Sequence, residues 1–206
     1  KVLYAASEAL PFMASGGLGD VAGSLPQALR KRLIGCRVVM PLYDTIRQEL
    51  KDTMKFITHI CVPVAWRRQY CGIFEAKVGS VTYYLLDNQY YFKRPNLYGY
   101  YDDAERYAFF SRAVLEILPH IDFKPDIIHT NDWHTAIMNS LLISNYNQDP
   151  FYYGVKTVFS IHNLAYQGEC DKAIIDFANM RWDNVYHSQC VEHYGRVNWL
   201  KGALYC

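Results

Sequence analysis

Short apolar runs alternate with amphipathic stretches along this chain, and that alternation constrains its fold more than any other feature. Val2–Ala6 is an apolar run bounded by polar residues, the pattern of a buried strand. Asp20–Lys31 reads as a helix: Val21, Leu25, Ala28 and Leu29 share a face, Asp20 is placed to cap it, and Lys and Arg gather in its last turn. Pro26 predicts a kink there or a short first segment. Cys36–Met40 is the next strand, stopped by Pro41. Phe56–Val64, Tyr70–Val78 and Val81–Leu86 are β-rich, broken at Arg67-Arg68 and at Gly79-Ser80, the second break reading as a hairpin turn. A helix over Asp103–Leu118 follows, then a strand at Asp126–His129, a helix at His134–Ser144 and a strand at Thr157–Ile161. Ile174–Cys206 reads as helical in pieces, and its apolar end, Trp199–Cys206, leads us to expect further chain beyond it.

Strands alternating with helices predict an α/β fold. The expected form is a Rossmann-like, mostly parallel sheet with helices on both faces and a β-hairpin excursion. Such sheets bind ligands at the carboxyl ends of their strands, where the loops carry the polar groups. With 206 residues the chain is long enough for a core without staples. Its 21 Lys and Arg balance 20 Asp and Glu, which gives no electrostatic footprint for nucleic acid or an anionic membrane. No apolar stretch approaches the ~18 residues of a membrane span, and Lys1–Ala6 is too short for a signal-peptide core. The six cysteines show no C-x-x-C, and Cys36 and Cys61 sit in apolar runs as small buried hydrophobes would. A soluble protein of a reducing, cytoplasmic compartment is expected.

Four constellations could carry chemistry. The first, Ala14-Ser15-Gly16-Gly17-Leu18-Gly19-Asp20, lies between the first strand and the first helix. Its glycines would let backbone approach a ligand, and the helix start would attract an anion. Gly17–Ala22 also satisfies G-x-G-x-x-G/A, which keeps a nucleotide-dependent oxidoreductase as an alternative. The ten-residue loop before it, with Glu8 and Pro11, argues against that.

The second constellation, His129-Thr130-Asn131-Asp132-Trp133-His134-Thr135, sets a carboxylate, an indole and imidazoles where a strand meets a helix. Asp132 could instead cap the helix and Trp133 could merely pack. Zinc fits poorly, because H-E-x-x-H spacing is absent and the turn would not hold His129 and His134 on one face. In the third, Ser160–Gly168, His162 and Asn163 leave a strand at the same edge, as catalytic or as structural groups. The fourth, His187-x-x-Cys190-x-x-His193, would share one face of a helix, but it lacks a fourth metal ligand.

These motifs resemble the ADP-glucose-type bacterial glycogen synthases and plant starch synthases. The resemblance rests on Lys1–Glu8 with Gly16–Pro26, on Asn131-Asp132-Trp133-His134-Thr135 (the family's H-D-W-H-T) and on Ile161–Gly168 (its I-H-N-x-x-Y-Q-G). It implies a retaining glycosyltransferase of GT-B architecture that moves glucose from ADP-glucose to the non-reducing end of an α-1,4-glucan. Residues 1–206 would form the amino-terminal, acceptor-side domain, with the carboxy-terminal nucleotide-binding domain absent. The isolated chain is therefore expected to be inactive, and a glucan-binding module without activity stays open as the alternative. By resemblance, His162 and Asp132 are catalytic, and Ser15, Gly16, Gly17, Asp20 and Asn163 face the donor. Tyr98, Trp133 and His134 face the acceptor. No metal or resident cofactor is implied. Two positions depart from the family pattern: Ala14 stands where its glycine loop carries lysine, and Asn131 replaces the first histidine of H-D-W-H-T.

Overall fold

The computed structural model describes residues 1–205. Its first half contains β1 (Val2–Ala5), α1 (Gly17–Lys31), β2 (Cys36–Pro41), α2 (Gln48–Lys51), β3 (Lys55–Val64), β4 (Arg67–Val78), β5 (Val81–Asp87) and α3 (Gln89–Phe92). There follow α4 (Asp103–Ile117), β6 (Ile127–Asn131), α5 (Asp132–Ser144), β7 (Lys156–Ser160), β8 (Glu169–Cys170), α6 (Ile174–Phe177), α7 (Trp182–Val185), β9 (Glu192–His193), β10 (Arg196–Asn198) and α8 (Trp199–Tyr205).

Seven strands form one sheet in the order β3-β4-β5-β2-β1-β6-β7. The five strands from β5 to β7 run parallel, while β3, β4 and β5 form an antiparallel meander. β1 is buried along its whole length because both neighbours and both faces are covered, so every one of its residues is apolar. From β1 the chain passes to β2, goes to the far edge at β3 and returns through β4 to β5, then crosses to the other side of β1 for β6 and β7. Strand order therefore reverses between β1 and β6, and the crevice at their carboxyl ends is where such a sheet takes its ligand. α4 is buried from Arg106 through Leu115, packed against α5, which in turn packs against α8. A separate small sheet, β8-β10-β9, flanks this layer.

The α/β fold with its β excursion is the one read from the sequence, with local corrections. α1 starts three residues before Asp20; Gly16 occupies its cap position and no side chain caps it. The helix continues through Pro26 without a short first segment. Arg67 and Arg68 lie inside β4 rather than at a break, because the Val64–Arg67 pair closes the hairpin on Ala65 and Trp66. The Arg67 guanidinium pairs with Glu105 at 2.8 Å, which holds it on the sheet side. Gly79-Ser80 is the expected two-residue turn, closed by the Val78–Val81 pair, with Gly79 at φ +57°.

Cys61 is exposed, because edge strand β3 turns it outward, whereas Cys36 is buried. The helix expected around His187, Cys190 and His193 does not form. Tyr194 and Gly195, both at positive φ, make a turn that pairs β9 with β10. His193 thus sits on a strand and Cys190 is buried in a turn. Among the described residues no helix is long and apolar enough to cross a membrane. Cys206, the last residue of the expected terminal helix, lies outside the described residues.

Candidate active site

The first wall of the crevice is residues 6–16, between β1 and α1. Glu8 organises it. This buried carboxylate accepts the backbone N–H of Ser15 at 2.7 Å and its hydroxyl at 2.6 Å on one oxygen, and the N–H of Gly19 at 3.2 Å on the other. The loop folds back so tightly that a side chain at Gly19 would collide with Ala14, which makes glycine obligatory there. Gly16 and Gly17 are exposed, with open space around them. As at any helix start, the N–H groups of Gly17 and Leu18 have no carbonyl one turn behind them within α1.

The second and third walls are tied together. β6 passes into α5 without a loop, and Asp132 takes a left-handed conformation at φ +55°. For a residue with a side chain this costs about 1–3 kcal/mol and is tolerated where surrounding bonds hold it. Asp132 does not cap α5. No side chain caps it; the Thr135 hydroxyl ties the helix start back to Asn131, accepting its N–H at 2.5 Å and donating to its carbonyl at 2.8 Å. The Asp132 carboxylate instead accepts the backbone N–H groups of His162 at 2.7 Å and Asn163 at 3.1 Å, across from β7.

Asn131 completes the tie. Its amide nitrogen donates to the carbonyls of Ala5 (3.0 Å) and His129 (3.3 Å), which fixes the orientation of the group. Its oxygen therefore accepts, from the Tyr4 hydroxyl at 2.8 Å and from Nε2 of His162 at 2.9 Å. Nε2 of His162 thus carries a proton and Nδ1 is left for a ligand. His129 pairs with the Ser160 hydroxyl at 2.8 Å, and burial, followed by the charge of His162, lowers its pKa.

The three turns enclose one cavity of about 740 Å³. Of the residues singled out from the sequence, Ser15, Gly16, Gly17, Tyr98, Asp132, Trp133, His134, His162 and Asn163 all line it. Asp20 does not; it is exposed in the first turn of α1, and orienting the loop falls to Glu8. Tyr98, Trp133 and His134 form a ring stack, with centroids 4.5 Å apart between Tyr98 and His134 and 4.2 Å between Trp133 and His134. Tyr107 meets His134 edge-on at 4.6 Å. Burial, followed by the positive charge of Arg106, holds the pKa of His134 down to about 3, so its ring is neutral near pH 7.

The organising roles of Glu8, Asn131 and Asp103 are not legible in the sequence. Glu8 gives only a local signal, a carboxylate just past an apolar strand at the ligand-binding edge. Asn131 was seen, but not its contacts with Tyr4 and His162, which arise only when β1, β6 and β7 are placed side by side. Asp103 was read as a helix start. In the structure one of its oxygens binds buried Arg106 at 2.6 Å, while the other accepts the N–H groups of Gly99 (2.7 Å) and Tyr100 (3.1 Å) beside Tyr98.

A family model described as the starch synthase catalytic domain matches residues 1–206. The chain belongs to that family. It is 52% identical over 207 residues to a glycogen synthase of Geobacillus thermodenitrificans, covering 99% of this chain and 42% of that protein. A glycogen synthase of Bacillus cereus is 48% identical over 204 residues, covering 99% of this chain and 43% of the relative. The chain thus spans less than half the length of these relatives. Among solved structures it resembles the catalytic domain of starch synthase IV from Arabidopsis thaliana bound to ADP and acarbose. That match has a TM-score of 0.87 and 28% identity, over 99% of this chain and 43% of the other. Within this chain Asn131 is a hydrogen-bonded hub that joins Tyr4, Ala5, His129 and His162.

Proposed function

We propose that this chain is the amino-terminal, acceptor-side half of a cytoplasmic retaining glucosyltransferase that extends α-1,4-glucans from ADP-glucose. The observation that carries the reading is the single cavity on which the Gly16, Asp132 and His162 turns converge. Its chemistry suits a hexose. One side offers backbone N–H groups at a helix start for the donor's diphosphate. The opposite side offers stacked aromatic faces for sugar rings. Retention without a carboxylate nucleophile relies on placement and charge stabilisation, which prebuilt hydrogen-bonded turns supply.

In this reading Nδ1 of His162 contacts a donor hydroxyl, and the His162 carbonyl faces the developing positive charge. Asp132 serves mainly by holding that loop, and its remaining oxygen orients the acceptor. Ser15, Gly16, Gly17 and Asn163 meet the donor, while Tyr98, Trp133 and neutral His134 meet the acceptor. Asp20, outside the cavity, reaches the donor only from the rim. ADP-glucose enters as substrate, and the reading assigns no resident metal or cofactor.

The test is a chimera in which this chain replaces the matching residues of the Geobacillus thermodenitrificans glycogen synthase. Transfer of radiolabelled glucose from ADP-glucose to glycogen is expected from the chimera and not from the 206-residue chain alone. A folded chimera that binds ADP without transferring glucose would refute the assignment. Transfer by the chain alone would refute its being half of a site.

A further inference from the structure

Residues 93–102, between α3 and α4, form no helix or strand, so side-chain bonds set the shape of the loop that carries Tyr98 into the crevice. We propose that Arg106, which does not line the cavity, is a positioning residue for the reaction: it fixes the Tyr98 loop in the shape the glucan meets and so sets how tightly the acceptor is held. The proposal rests on the acceptor reading above and adds the residue that builds that wall.

Arg106 lies near the start of α4 and is completely buried. Its Nε donates to the Tyr91 carbonyl at 2.8 Å, and Nη1 donates to the Leu97 carbonyl at 2.9 Å and to Oδ1 of Asp103 at 2.6 Å. Oδ2 of Asp103 takes the N–H groups of Gly99 and Tyr100. The backbone on both sides of Tyr98 therefore runs into one ion pair, through the carbonyl before it and the two N–H groups after it. The Leu97 carbonyl also accepts the Tyr107 hydroxyl at 3.0 Å, so it is held from two directions. At its own tip, Tyr98 shares a hydrogen bond with the Ser7 hydroxyl at 2.7 Å. The outer part of the loop has a separate clasp, in which both terminal nitrogens of Arg94 fork onto Asp102 at 2.6 Å.

Stability alone does not account for a charge in this position. The guanidinium is enclosed by the rings of Phe92, Tyr100 and Tyr107, with centroids 5.5, 4.9 and 5.4 Å from its carbon. Taking such a group out of water costs several kcal/mol, and well-packed apolar residues in place of a buried ion pair are often as stable or more so. What a hydrocarbon cannot do is bond the Tyr91 carbonyl, the Leu97 carbonyl and Asp103 at once. The planar fork does this with fixed geometry, whereas a lysine is a single point charge. A wall shaped in advance meets a sugar ring without having to be ordered by it, while a loose one makes the same contacts at lower affinity. Arg106 thus acts on the ligand only through the Tyr98 loop, and its effect falls on acceptor binding rather than on the donor turn around Gly16.

Steady-state kinetics of the chimera carrying Arg106→Lys test this, since lysine keeps the charge and loses the fork. The KM for glycogen is expected to rise about tenfold, with kcat at saturating glycogen and the KM for ADP-glucose within about twofold of the parent chimera. The charge-free pair Arg106→Met with Asp103→Asn should hold its Tm and show the same split, and it decides the matter if the lysine variant does not fold. Unchanged kinetics, or a fall in kcat and Tm with no selective rise in the glycogen KM, overturns the proposal. Tyr98→Ala separates the two readings. A raised glycogen KM in Tyr98→Ala beside unchanged kinetics in Arg106→Lys leaves the acceptor reading standing without the clamp. An unchanged glycogen KM in Tyr98→Ala removes Tyr98 from the acceptor wall, and the proposal with it.

Discussion

Oδ1 of Asp132 lies 2.7 Å from the backbone nitrogen of His162, so the turn after one strand holds the turn after its neighbour. This bond, with its companion to Asn163, turns two separate loops into one wall. It also explains how Asp132 tolerates a left-handed backbone, since a hydrogen bond to a charged acceptor contributes about 1.5–3 kcal/mol.

Asp132→Ala should therefore act on the loop after β7 rather than on α5. Hydrogen exchange of the His162 and Asn163 amides is expected to quicken by about tenfold or more, with stability reduced by about 2 kcal/mol. Amides in the first turn of α5 should keep their protection, because the Asp132 carboxylate binds none of them. The opposite pattern would make Asp132 a helix cap.

Glu8→Gln keeps size and shape but replaces one acceptor oxygen with a donor. Three donors, from Ser15 and Gly19, converge on the native carboxylate, so the amide must oppose at least one of them. A loss of about 1–3 kcal/mol in urea unfolding is expected. In the chimera the substitution should raise the KM for ADP-glucose more than it lowers kcat. Unchanged stability and KM would remove Glu8 from its organising role.

His162→Ala should separate catalysis from folding. The side chain is exposed on one side and makes one hydrogen bond, to Asn131, so Tm should move little. In the chimera kcat is expected to fall about 10²–10³-fold. A large fall in Tm with a modest fall in kcat would make the imidazole structural.

Acid should destabilise the fold through His134. The folded ring titrates near 3, well below the usual histidine value, so between those limits the unfolded chain binds the extra proton. The stabilisation is fully present above the unfolded pKa and declines as pH falls below about 6.5, by about 1.4 kcal/mol per pH unit for this residue. His129, also held low, adds to the slope. Urea midpoints at pH 5 and pH 7 should differ less in His134→Phe, which keeps the ring stack. An unchanged difference would show that the buried ring does not drive the slope.

The fold was legible because its signals are local. Apolar runs such as Val2–Ala5 need no partner to be recognised, and Gly79-Ser80 specifies its hairpin in two residues. The sequence misled where long-range pairing overrides a local signal. Arg67 looks like a turn residue until Glu105 draws it into β4, and His187–His193 looks helical until the Tyr194-Gly195 turn pairs its end, Glu192–His193, with β10. The site divides in the same way. Its turns could be found one at a time from glycine, histidine and carboxylate at the carboxyl edge. What Asp132, Asn131 and Glu8 hold could not, since each acts across strands distant in sequence.

One measurement bears most directly on the claim that three turns form a single sugar-binding cavity. Backbone amide shifts of the isotopically labelled chain, followed during addition of ADP-glucose, would report every turn at once. Gly16, Gly17, Asp132, His162 and Asn163 are expected to shift together along one saturation curve. Shifts confined to one turn, or to residues away from this cavity, would contradict it.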